Sequence, residues 1–163
     1  HMESAPGWLI AKWQFDARGN LPPVHLTWYD GNGGKRPALQ KEHNMPDWHE
    51  ATLFVGSEGM MIADYGRFEL FPKEKFAGTR LLGTPRKPSH MGDWIEACKT
   101  GDPLRPGTQF QYSGSLTETV LLGTVAFRAG EKLEWDAENL KITNNSDAER
   151  FIRRDAYRVG WTL

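Results

Sequence analysis

Several features that would announce a function are nearly or wholly missing from this chain. It holds one cysteine, Cys98, in 163 residues, so an intrachain disulfide and a thiolate metal cage are both excluded. An excess of charge of one sign is missing too. Lys plus Arg number 20 against 21 Asp plus Glu, a formal net charge of −1, which gives no pull toward nucleic acid or an anionic membrane. No apolar run approaches the ~18 residues of a membrane-spanning helix. The N-terminus shows no charged segment followed by an apolar stretch, as a secretory signal would. His1-Met2 has the look of a cloning scar, so the native chain is expected to begin anywhere upstream of Glu3. Residues 3–163 read as a single domain, long enough to bury roughly two-thirds of its unfolded surface.

Signatures of phosphate and metal chemistry are equally scarce. Gly31-Asn32-Gly33-Gly34 is not followed by a helix start, and neither Gly-Lys-Ser/Thr nor GxGxxG spacing occurs. A flexible turn is the expected reading. His43, Asp47 and His49 carry ligand-type groups, but their spacing matches no closed site and Pro46 prevents a helix that would align them. They read as solvated loop polarity, and no metal site is expected. Cys98 lies among apolar residues of an expected helix, where a buried, inert thiol is expected.

What the chain does have is tryptophan, seven in all, together with strand-like alternation in its first half. Trp8 to Phe15 places Leu9, Ala11, Trp13 and Phe15 on one face. A turn at 16–20 and Pro22-Pro23 lead to a second strand, Val24 to Tyr29, which makes an antiparallel hairpin. Residues 30–50 read as a long polar loop. A tight hairpin follows, Thr52 to Val55 and Met60 to Tyr65 about Gly56-Ser57-Glu58-Gly59. A short strand at Phe68 to Phe71 and an irregular stretch at 72–88 come next.

Helical signals then take over. Ser89 is placed to cap a helix from His90 to Lys99, whose Met91, Trp94, Ile95 and Cys98 fall at i, i+3, i+4, i+7 and mark one buried face. Gly101 and Pro103 end it. Ser115 and Glu118 have capping-box spacing for a longer helix that stops at Gly130. Gly123 within that helix costs about 1 kcal/mol relative to Ala, so it is expected to permit a close approach. A short hairpin or paired edge (Lys132 to Trp135, Leu140 to Thr143) precedes a second capping box, Ser146 and Glu149, and a last short helix near Asp147 to Arg153. Strands followed by helices, without alternation, predict an α+β domain: an open, mainly antiparallel sheet with helices packed on one face. The uncovered sheet face predicts an oligomer interface. His90 and Asp93, at i and i+3 on a helix's first turn, suit either a hydrogen-bonded cap or a general base and substrate contact at a pocket rim. Arg153, Arg154, Tyr157 and Arg158 form a basic-aromatic tail, suited to docking or to anion binding.

Several segments together resemble one family. They are Pro23-Val24-His25-Leu26-Thr27-Trp28-Tyr29-Asp30-Gly31, Leu53-Phe54-Val55-Gly56-Ser57-Glu58-Gly59-Met60 and Pro88-Ser89-His90-Met91-Gly92-Asp93-Trp94-Ile95-Glu96-Ala97-Cys98. Leu116-Thr117-Glu118 through Leu121-Leu122-Gly123 and Tyr157-Arg158-Val159-Gly160-Trp161 complete the set. In order and spacing they resemble the C-terminal domain of the glucose–fructose oxidoreductase/inositol dehydrogenase/rhizopine-catabolism (Gfo/Idh/MocA) family, over nearly the whole chain from Trp8 to Leu163. The resemblance implies a two-domain dehydrogenase of a sugar or polyol, dependent on NAD or NADP. Its C-terminal domain would shape the substrate pocket and its sheet would form a homo-oligomer interface.

The family's glycine-rich nucleotide loop, its Glu-Lys-Pro motif with a catalytic lysine and its Asp-x-x-x-His motif have no counterpart here. The chain is therefore expected to bind no cofactor by itself and to require an N-terminal Rossmann domain as its partner. No catalytic residue carries over; His90, Asp93 and Arg105 are the candidate substrate contacts. The rival expectation is a stand-alone interaction module whose tryptophans stack on a carbohydrate or a protein.

Overall fold

A computed structural model describes residues 6–31, 37–79, 89–153 and 156–161. His1-Met2, Gly33 and Gly34, the part of the irregular stretch from 80 to 88, and Arg154 lie outside the described residues. In chain order the elements are β1 (Trp8–Phe15), β2 (Val24–Gly31), α1 (Ala38–Glu42), β3 (Thr52–Val55), β4 (Met60–Ala63), β5 (Phe68–Phe71), α2 (His90–Thr100) and α3 (Phe110–Ala129). β6 (Trp135–Asp136), β7 (Lys141–Ile142) and a 3-10 helix at Ser146–Phe151 follow among the described residues. The class is α+β, and among the described residues every strand pairing is antiparallel. The strands fall into sheets of two, three and two, ordered β1-β2, β3-β4-β5 and β6-β7. The chain divides into two compact units, one from the described residues of 1–33 and 88–163, the other from those of 34–87.

In the first unit, β1 and β2 pair from Trp8 opposite Gly31 to Phe15 opposite Val24. Arg18 and Leu21 exchange backbone hydrogen bonds of 3.1 and 3.0 Å at the turn. Directly paired residues share a face, so Ala11 and Trp13 lie beside Trp28 and Leu26. α3 packs on that face at Gly123. A Cβ at this position would stand 2.6 Å from Trp13 Cζ2 and 3.3 Å from Ala11 Cβ. The close approach that the mid-helix glycine predicts is therefore made to the indole of Trp13.

Beyond Gly130, which ends α3 in the left-handed conformation, the chain wraps back on the helix. Val125, Ile142 and Ala148 form a buried cluster, with Ala129, Leu133, Trp135, Phe151 and Ile152 packed around it. Here both predicted capping boxes are overturned. α3 starts at Phe110, and its cap is Gln109, whose side-chain oxygen accepts the N–H of Gln111 at 2.6 Å and of Tyr112 at 3.4 Å. Ser115 lies inside the helix, and its Oγ donates to the Gln111 carbonyl. Glu118 Oε1 instead accepts the Trp135 indole N–H at 2.6 Å. The second box fails in the same way. Asn145, one residue before Ser146, accepts from Asp147 and Ala148. Glu149 Oε1 is taken by the backbone N–H of Ile142 at 2.6 Å. In both cases a tertiary donor holds the glutamate that the motif assigns to a helix start.

The second unit is a β3-β4-β5 meander, in register from Thr52 opposite Ala63 and from Met60 opposite Phe71. Met45, Ile62 and Phe71 are buried together, with Trp48, Leu53 and Met60 against them. The predicted loop at 30–50 contains a helix, α1. Gln40 on it is buried, and its Nε2 donates to the Pro46 carbonyl at 2.7 Å. Satisfying that amide holds the segment carrying Met45 to the helix, which a reading based on loop polarity misses. Arg67 lies 4.1 Å from the Trp48 ring centroid while its Nε donates to Asp64 at 2.7 Å.

Candidate functional site

Two of the predicted substrate contacts, His90 and Asp93, lie on the first turn of α2, and Arg105 lies on the α2–α3 connection. Ser89 caps the helix as expected, its Oγ accepting the Gly92 N–H at 3.1 Å. Asp93, one turn in, accepts the Gly107 backbone N–H on Oδ2 at 3.0 Å. That bond ties the α2–α3 connection, which carries Arg105, back to the start of α2. Arg105 is exposed, and its backbone N–H donates to the Asp102 carbonyl at 3.4 Å. His90 is exposed at the helix start. The structure thus joins Asp93 to the loop of Arg105, and His90 shares the turn with Asp93. Asp93 acts as a clasp between helix and loop, with one carboxylate oxygen already used. His90 and Arg105 keep exposed side chains capable of donating hydrogen bonds, and Asp93 keeps Oδ1 as an acceptor besides the Oδ2 that holds the loop.

The rest of α2 departs from expectation. Met91, Trp94 and Ile95 are 62%, 58% and 44% exposed, and Cys98 is exposed with them. The predicted buried face and buried thiol are both corrected: Ala97 is the buried residue of this helix. Periodicity identifies an apolar stripe, but it carries no information about what covers it. Among the described residues no other element packs on α2. β2 shows a related pattern, with Val24, Leu26 and Trp28 exposed on the face that α3 covers over β1.

An open apolar cleft of about 420 Å³ lies between β1 and α3, lined by Pro6, Gly7, Trp8, Leu9, Ile10 and Phe127. None of His90, Asp93 or Arg105 lines it. The carboxylates most firmly held in their charged form sit in turns of the framework. Hydrogen bonds from the Gly66 N–H and then the Arg67 side chain lower the pKa of Asp64. The Asn139 side chain, donating at 2.7 Å, and its backbone N–H do the same for Asp136. Both carboxylates fasten backbone loops.

His43, Asp47 and His49 are exposed, and among the described residues no three His, Cys, Asp or Glu side chains gather to hold a metal. No helix of the described residues is long and apolar enough to cross a membrane. In the tail, Tyr157, Arg158 and Trp161 are exposed, and the Trp161 N–H donates to the Arg158 carbonyl at 2.9 Å. Sequence reasoning missed a cationic grouping nearby, in which Arg128 and Arg150 lie 4.4 and 4.8 Å from the Phe151 ring centroid. The available signal was Arg128 in the last turn of α3, where a cation suits the helix dipole.

No protein-family model, curated protein or solved structure matches this chain. The class the fold defines is α+β with antiparallel sheets.

Proposed function

We propose that the chain is the substrate-pocket and oligomerisation domain of an NAD(P)-dependent dehydrogenase acting on a sugar or polyol, and that it is catalytically incomplete by itself. One observation supports the reading: α2 and β2 bear exposed apolar side chains, and among the described residues no other element packs on α2. The stripe on α2 and the Val24, Leu26 and Trp28 side of β2 are surfaces of the kind a further domain or another copy covers. In this reading an N-terminal Rossmann domain holds the nicotinamide and supplies the catalytic lysine. This chain contributes pocket walls, with His90, Asp93 and Arg105 offering hydrogen bonds to substrate hydroxyls. The face of the β1-β2 hairpin that bears exposed Tyr29, opposite the one carrying Ala11 and Trp13, takes a second subunit.

Two measurements test this. Titrating the chain with NAD(H) or NADP(H), while following nicotinamide and tryptophan fluorescence, is expected to give no saturable change; micromolar binding overturns the incompleteness. Light scattering on the chain is expected to give a multiple of 18.5 kDa, and a strict monomer across micromolar concentrations overturns the oligomer interface.

A second reading, a stand-alone module that stacks aromatic rings on a carbohydrate or protein, is favoured by the exposure of Trp8, Trp28, Trp94 and Trp161. The native gene separates the two. A reading frame continuing upstream through a strand–GxGxxG–helix pattern supports the dehydrogenase, and a start near Glu3 supports the module.

A further inference from the structure

We draw no further inference here: the strongest candidate, the exposed apolar stripe of Met91, Trp94, Ile95 and Cys98 along α2, already serves the function proposed above, and nothing in the structure shows what covers it.

Discussion

α2 and the C-terminal half of α3 are both helices with apolar faces, yet only the second has its cover supplied by neighbouring chain. The residues after Gly130 return as β6, β7 and the 3-10 helix and bury Val125, Ile142 and Ala148. Polar bonds fix that return: Trp135 to Glu118, Ile142 to Glu149, and Asn144 Nδ2 to the Lys132 carbonyl. α2 has good local chemistry, with a Ser89 cap and a Gly101 stop, but its stripe stays open. α2 thus forms with its cap, its stop and the Asp93 clasp while its stripe stays exposed, and burial depends on which chain returns to a helix.

The sharpest way to break this comparison is a matched pair of truncations. Ile142, 2% exposed, should lose about 2–5 kcal/mol on replacement by Ala in urea unfolding, as buried Ile positions do. Ile95→Ala on α2 should stay within roughly 0.5 kcal/mol, the range of surface substitutions. Equal losses would mean that α2 is as buried as the wrap. Gly123→Ala comes next. Helix propensity alone favours Ala by about 1 kcal/mol, but the new Cβ would meet Trp13 at 2.6 Å. Overpacking of that kind costs about 1–3 kcal/mol. A net loss of stability, with altered Trp fluorescence, is expected; a gain would mean that the strand and helix are not in contact there.

Smaller effects sharpen the account of the wrap itself. Asn145→Ala should cost about 1 kcal/mol, as loss of a cap does, whereas Ser146→Ala should change stability by less than ~0.5 kcal/mol. The reverse order would restore the capping box that the sequence suggests. The smallest effect is in the acid limb of the unfolding curve. The pKa of Asp136 is lowered from 3.8 in the folded chain. Its contribution is thus complete above the unfolded value and fades as pH falls through the lowered one. Asp136→Asn should flatten that part of the curve and leave the slope near neutral pH unchanged.

The hairpins were the most legible part of the chain. Alternation from Trp8 to Phe15, and turn residues at 16–20 and 56–59, identify strands that the structure pairs in register. Gly123 was legible too, because a glycine in a long helix costs stability unless something approaches it. The helix starts were harder to read. Ser-x-x-Glu is a cap only if its glutamate is free, and Glu118 and Glu149 are held by donors 17 and 7 residues away. α1 was hidden by the polarity of its surroundings, because the buried amide of Gln40 looks like any exposed glutamine in one dimension. At the candidate site, the Ser89 cap and the position of Asp93 could be read from spacing. The bond from Gly107 to Asp93 could not, since it depends on how a loop rich in Pro and Gly folds back. The exposure of the α2 stripe was also illegible, because a sequence shows which residues need cover and not where the cover comes from.

The chain's only cysteine lies in that stripe, at its C-terminal end. A fluorophore or spin label attached to Cys98 would therefore report from the open surface of α2 with no substitution and no competing thiol. Quenching, immobilisation or protection from labelling would register any molecule that binds there. The unsubstituted chain carries its own single-site probe for that surface.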